Sequence, residues 1–403
     1  MVIHKALVAG TAILMVTALS VSLVSADPIS ESPVDPIANY REAIDRVEAQ
    51  QSAYATELAD LYLSLGSAYV DRQDYQKAIG AFTKGLQIER INHGLQSLSQ
   101  RPYLLSLAET EGLRGDWKQS RSALNNLYQI NRQNYDSLDP RLLPVLDDIL
   151  HWLLKTHRQQ PARTGYVSLI TAERIGQNID AILTSDLEAD PQTASERYRQ
   201  LAFLHYRIAE HISQYGDSNS SGISVTTTAS LSDNTQSTSS HLHYQRGKAA
   251  LEKVVEYRVK QDPDNILQQA LAVAELGDWY LLFDRRKSAE NAYRLASNTL
   301  KSGNQTPTEV ALFDQPTMIA FSASHSIAKD GADHPQLEVT MTISAVGKIS
   351  DIDVVSSEPI LSQQQLKNLK RNLRSTRFRP KLADGIPVAS AHRAFFPLSL
   401  VEG

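Results

Sequence analysis

Ala59 and Ala270 each open a window in which the same seven offsets carry the same kinds of side chain. Offsets 4, 7, 8, 11, 20, 24 and 27 hold Tyr62, Leu65, Gly66, Tyr69, Ala78, Phe82 and Gly85 in the first window. In the second they hold Val273, Leu276, Gly277, Tyr280, Ala289, Tyr293 and Ala296. Large residues at this spacing fill the gap between two packed helices, and small ones let the backbones approach. A chain carrying this pattern must build helical pairs there. Leu104, Leu107, Ala108, Leu124 and Leu127 give a weaker copy, with Asp116-Trp117 standing where Asp74-Tyr75 stands in the first. From about 140 to 215 the helical period continues through Leu142, Leu146, Leu150, Leu153 and Leu154, then Leu201, Leu204, Ile208 and Ile212. No clean repeat appears in that stretch, which reads as degenerate helical pairs.

The two strong windows resemble tetratricopeptide repeats. Each such pair exposes an apolar face that only its neighbour covers, so an array stacks into a solenoid. The expectation is an all-α solenoid over 27–301, nearly all helical from Tyr40 to about Leu300. The stretch 213–240 is rich in Ser, Thr, Asn and Gly and has little to bury, so it reads as a disordered loop within the array.

Beyond a polar linker at 302–316 the period changes from 3.6 to 2. Leu337, Val339, Met341 and Ile343 alternate with Glu338, Thr340 and Thr342, which gives a strand with one buried face. Gly347-Lys348 turns the chain into a second strand, with Ile352 and Val354 opposite Asp351 and Asp353. Ser362 and Gln365 are spaced as a capping box at a helix start. Leu366, Leu369 and Leu373 then form one helical stripe. Arg377-Phe378-Arg379-Pro380-Lys381 begins an extended run, with Phe378 expected inside and the arginines outside. Asp384-Gly385 is a turn dipeptide suited to positive φ. The last strand places Ala394, Phe396, Leu398 and Leu400 inward and Arg393 and Ser399 outward. The sum is a small α+β domain at 317–403: a three-stranded antiparallel sheet with one helix.

This segment resembles the C-terminal domain of TonB-type energy transducers. The resemblance rests on Val339-Thr340-Met341-Thr342-Ile343, Gly347-Lys348-Ile349-Ser350-Asp351, Thr376-Arg377-Phe378-Arg379-Pro380-Lys381 and Asp384-Gly385-Ile386-Pro387-Val388. It covers roughly a fifth of the chain, and a fold does not fix a role. What it implies is a sheet edge able to accept a strand from a partner. In the family that partner is a short extended peptide of an outer-membrane receptor. By analogy with the family, the run from Val388 to Leu400 is the free edge.

The chain departs from that family at its other end. Lys5 precedes an apolar stretch from Ala6 to Val24, and Val24-Ser25-Ala26 carries small residues before Asp27-Pro28. This pattern is that of a secretory signal peptide over 1–26, cleaved after Ala26. The alternative is an uncleaved inner-membrane anchor, since about 20 apolar residues span a bilayer. The transducers keep an anchor with a Ser and a His inside it; here no histidine follows His4 within the stretch. They also need a long stiff spacer, and the polar run at 302–316 lacks that reach. The 403 residues contain no cysteine, which excludes disulfides, thiolate metal sites and a cysteine nucleophile. A net charge of −5 gives no general attraction to nucleic acid.

Catalytic motifs are missing: there is no P-loop, no Gly-rich dinucleotide turn, no nucleophile elbow and no His-Glu-x-x-His. His241-x-His243 reads as a solvated pair on a strand rather than a metal site, because no third ligand is marked by spacing. Asp147-Asp148 with His151 is an ordinary helical neighbourhood. One concentration of charge does stand out. Lys367, Lys370, Arg371, Arg374, Arg377, Arg379 and Lys381 fall within fifteen positions with no acidic residue between them. A solvated outer helix face with arginines that clamp the sheet, and a docking surface for an acidic partner segment, are both open readings of it. The candidate partner-binding residues are Lys367, Lys370, Arg371, Arg374, Arg377 and Arg379. The sequence thus reads as a non-enzymatic periplasmic scaffold for envelope or outer-membrane proteins, with no cofactor, no small-molecule substrate and no nucleic acid. A membrane-anchored TonB-type transducer subunit for outer-membrane transport is the alternative.

Overall fold

The helical period and the strand period each produce what they demand. A computed structural model describes residues 35–159, 163–186, 189–216, 232–302, 313–319, 336–356 and 361–397. The stretch 1–26, read from sequence as a signal peptide, lies outside them, as do Leu398, Ser399 and Leu400. Helix fills most of the described residues up to Ser302, and a small antiparallel sheet region follows. No described helix is long and apolar enough to cross a membrane. The chain divides into one unit up to Ser120 and a second from Arg121.

The first unit holds α1 (Pro36–Gln50), α2 (Thr56–Asp71), α3 (Tyr75–His93) and α4 (Arg101–Arg114), with the start of α5 (Trp117–Asn134). Asp35 caps α1 by accepting from the Ile37 N–H at 3.1 Å. The first window becomes α2 and α3. Gly66 lies so close to the Phe82 ring that a Cβ there would sit 2.3 Å from it, so the small residue at offset 8 makes room for the large one at offset 24. Gln73 turns the chain between the helices at φ 60°, and the Asp74 N–H then bonds the Tyr69 carbonyl at 2.9 Å. Gly115 at φ 87° repeats this between α4 and α5, with the Asp116 N–H on the Glu111 carbonyl at 2.8 Å. Left-handed residues of this kind close helix C-termini by giving orphan carbonyls a partner. The weaker copy is therefore a geometric equal of the first at its turn.

The second unit continues with α6 (Leu143–Gln159), α7 (Arg163–Ser185), α8 (Pro191–Tyr215), α9 (Ser232–Gln261), α10 (Ile266–Leu282) and α11 (Arg286–Ser302). Here the loop expected at 213–240 needs correction. Helix α8 runs to Tyr215 and α9 begins at Ser232, so only 217–231 of that stretch lies outside the described residues. Ser, Thr and Asn are moderate helix residues rather than breakers, and no Pro or Gly occurs from Ser232 to Arg246. The second window becomes α10 and α11 with the same devices as the first. A Cβ at Gly277 would lie 2.5 Å from the Tyr293 ring. Asp284 turns at φ 55°, and the Arg285 N–H bonds the Tyr280 carbonyl at 2.8 Å.

The C-terminal region contains β1 (Thr317–Met318), β2 (Gln336–Ile343), β3 (Ile349–Ser356), α12 (Gln363–Ser375), β4 (Phe378–Arg379), β5 (Lys381–Ala383), β6 (Ile386–Val388) and β7 (Ser390–Pro397). Strands β3, β2 and β7 form the expected antiparallel three-stranded sheet in that order. Leu337, Val339, Met341 and Ile343 are buried with Ile352, Leu369, Leu373, Phe378 and Phe396. The capping box forms: Gln365 N–H donates to Ser362 Oγ at 3.3 Å, and Ser362 N–H to Gln365 Oε1 at 2.9 Å. Two small ladders were not anticipated. Strand β4 pairs with β1, and β5 with β6 through Asp384-Gly385, whose φ values are 52° and 78°. The run from Arg377 is thus not one strand; it divides at Pro380, which has no N–H to give a ladder.

The polar linker read at 302–316 also ends early. Phe313 is buried, and with Ile319 and Leu382 it joins the core of α10 and α11. A Cβ on Gly347, at φ 68°, would lie 2.0 Å from the Phe378 carbonyl oxygen and 3.0 Å from the Leu281 side chain of α10. The C-terminal sheet region is therefore built onto the last helical pair rather than hung from it.

Candidate partner-docking surface

The basic run divides between outside and inside. Leu369 and Leu373 turn one face of α12 into the sheet core and Leu366 is half-buried, which leaves Lys367, Lys370, Arg371 and Arg374 on the other face. Lys367, Arg371 and Arg374 are exposed and Lys370 is half-buried. Among the described residues, none of these four is engaged by a carboxylate. Arg377 is half-buried, and its guanidinium reaches the Arg374 carbonyl at 3.5 Å.

Arg379 does not belong to this surface. The expectation that it faces outward is wrong: it is 8% exposed. Its Nε donates to Asp278 Oδ1 at 2.9 Å and its Nη2 to Oδ2 at 2.6 Å. Tyr293 Oη donates to the same Oδ1 at 2.9 Å, and the Phe313 ring centroid lies 5.7 Å from the guanidinium carbon. Burial first, then the Asp278 charge, holds the Tyr293 hydroxyl well above the ordinary tyrosine range. Alternation puts Phe378 and Arg379 on opposite sides of the strand. With Phe378 turned into the sheet core, Arg379 meets α10, where Asp278 makes burial affordable. Sequence spacing cannot show this, because the partner carboxylate stands 101 positions away.

The strand edges differ in a way that bears on docking. Strand β3 pairs with β2 through two register shifts, and Asp351 takes φ 51° at one of them. Such bulges blunt an edge against further pairing. Strand β7 pairs with β2 in unbroken register over eight residues, from Gln336 opposite Pro397 to Ile343 opposite Ser390. Among the described residues nothing pairs with its other side. Ala391, Arg393 and Phe395 are exposed on one face of β7, Phe395 to 60%. Arg393 forms an ion pair with Glu338 of β2. Helix α12 packs toward β3, so its basic face and the β7 edge belong to different sides of the sheet.

The other polar groups singled out by sequence are placed as follows. Asp147 on α6 accepts from Arg197 Nε of α8 at 3.0 Å, and burial raises its carboxyl above the usual carboxylate range. It ties two helices together; His151 is exposed. His241 and His243 lie on helix α9, not on a strand, and two residues apart on a helix point about 200° away from each other. His241 is therefore exposed while His243 is buried beside His205 of α8 and Glu173 of α7. This His/His/Glu group is the one described cluster able to hold a metal ion. Sequence reading missed it because its members come from three helices with no fixed spacing.

No protein-family model matches the chain, and no curated protein matches it.

Proposed function

We propose that this chain is a periplasmic, non-enzymatic scaffold that captures an extended segment of an envelope or outer-membrane protein by strand addition to β7. The observation that carries this reading is the contrast between the two sheet edges: β3 is bulged, whereas β7 is regular and, among the described residues, bonded on one side. A regular edge offers a row of unpaired backbone donors and acceptors, which gives affinity without demanding a particular sequence. The exposed Phe395 supplies an apolar contact for a side chain of the incoming strand. The helical pairs, with their tetratricopeptide-like turns at Gln73, Gly115 and Asp284, each offer a helical surface of the kind that binds protein segments. The basic face of α12, on a different side of the sheet, offers a separate contact for an acidic partner segment.

Two neighbouring proline substitutions test the edge. Along a strand, N–H groups point alternately to the two sides, so of Ala391→Pro and His392→Pro one removes a bond to β2 and the other an outward donor. The first should loosen the sheet. The second should leave the circular dichroism spectrum intact and abolish crosslinking of envelope proteins to a photoreactive residue at position 395. Capture that persists in a folded outward-donor variant would exclude strand addition at β7 and direct the search to the helical pairs.

A further inference from the structure

Glu173 on α7, His205 on α8 and His243 on α9 bring one ligand atom each to within 4.8 Å of the others. His205 Nδ1 and His243 Nδ1 lie 3.2 Å apart. Glu173 Oε1 lies 3.8 Å from His243 Nδ1. In a tetrahedral zinc site with Zn–N bonds near 2.0–2.1 Å, two ligand atoms stand about 3.3 Å apart. The same ring nitrogen of both imidazoles thus lies at the spacing of two ligands of one ion, with a carboxylate oxygen beside it. We propose that Glu173, His205 and His243 form a binding site for a divalent transition-metal ion such as zinc, clamping α7, α8 and α9.

The chemistry of the donor set fits. Imidazole and carboxylate suit zinc and its neighbours, and the chain has no thiolate to compete. Metal binds neutral imidazole. Three protein ligands leave a coordination position for water.

Arg246 is the built-in competitor. Its guanidinium contacts Glu173 Oε1, the oxygen that faces His243. Its side chain is 41% exposed, so it can withdraw to solvent when an ion takes the carboxylate. This gives a sign that a purely structural ion pair would not: removing Arg246 should tighten metal binding.

The test titrates the full chain with Zn²⁺ by calorimetry and with Co²⁺ by visible absorption. One ion should bind per chain, raise the melting temperature, and leave on addition of EDTA. Arg246→Ala should bind several-fold more tightly. His205→Ala and Glu173→Gln should each bind more than about 100-fold more weakly, since losing even a group that merely orients a ligand costs about 10–100-fold. His241→Ala, at the exposed neighbour, should bind as the parent does. If His205→Ala fails to fold, the Co²⁺ spectrum of the parent and the response of Arg246→Ala still decide. Absence of stoichiometric binding, binding that survives Glu173→Gln, or an Arg246→Ala chain that binds no better would each overturn the site.

Discussion

Arg379 and Asp278 meet in a buried, two-pronged ion pair, and Tyr293 completes the ring of donors around the same carboxylate. Both side chains are 9% exposed. Removing one partner of such a pair leaves an uncompensated buried charge, which costs about 3–5 kcal/mol. Arg379→Ala or Asp278→Ala should therefore lower stability by that order in urea unfolding. Tyr293→Phe, which loses one hydrogen bond to a charged group, should cost about 1.5–3 kcal/mol. Replacing the pair together by Met and Leu should cost much less than either single change, because no lone charge remains.

Gly66 within α2 and Gln73 at the turn after it make opposite predictions. Gly66→Ala puts a methyl group 2.3 Å from the Phe82 ring, and such overpacking costs about 1–3 kcal/mol. Gln73 sits at φ 60° without being glycine. Gln73→Gly relieves that conformation and should raise stability by up to about 1 kcal/mol. Thermal melts of the two variants should move in opposite directions.

Acid should weaken the second unit through His157 and His211. Burial first, then Arg207 and His211, lower His157 to about 4, and burial and Arg207 lower His211 as well. The folded state thus holds these rings neutral, while the unfolded chain protonates them near pH 6.5. Their contribution is fully present above pH 6.5 and is lost as pH falls from 6.5 toward 4. For His157 alone the loss is on the order of 2–3 kcal/mol. His157→Gln should flatten that acid limb when unfolding free energy is measured from pH 7 to 4.

Reversing the exposed α12 charges separates docking from folding. Lys367→Glu, Arg371→Glu and Arg374→Glu together should leave the unfolding midpoint almost unchanged, since exposed charges contribute about 0–1 kcal/mol. Capture of an acidic partner should weaken, and what remains should lose its sensitivity to salt, because exposed charge contacts are screened within about 10 Å at 0.1 M. Capture unchanged by the reversal would reduce this face to a solvated helix surface.

What could be read from sequence was whatever repeats locally. The apolar alternation of β2, the capping box at Ser362 and the paired offsets at Gly66 and Gly277 each carry their partners within a few tens of residues. The fate of Arg379 was not legible, because an extended run shows which residues face opposite ways but not what waits on the second side. The histidines behave likewise. His241-x-His243 looks like a pair in the sequence, yet a helix separates its members and joins His243 to residues 38 and 70 positions earlier. Composition misled at 232–240, where polar residues compatible with helix were read as a loop.

The seating of Phe313, Ile319 and Leu382 among α10 and α11, with Arg379 locked to Asp278, separates what is continuous along the chain from what is continuous in space. A protease that cuts within 303–312 severs the backbone but none of these contacts. The two fragments should therefore remain together through gel filtration and separate only in denaturant, or after Asp278→Ala. The segment that begins at 317 is accordingly not a piece that stands apart from the last helical pair; the two share one core.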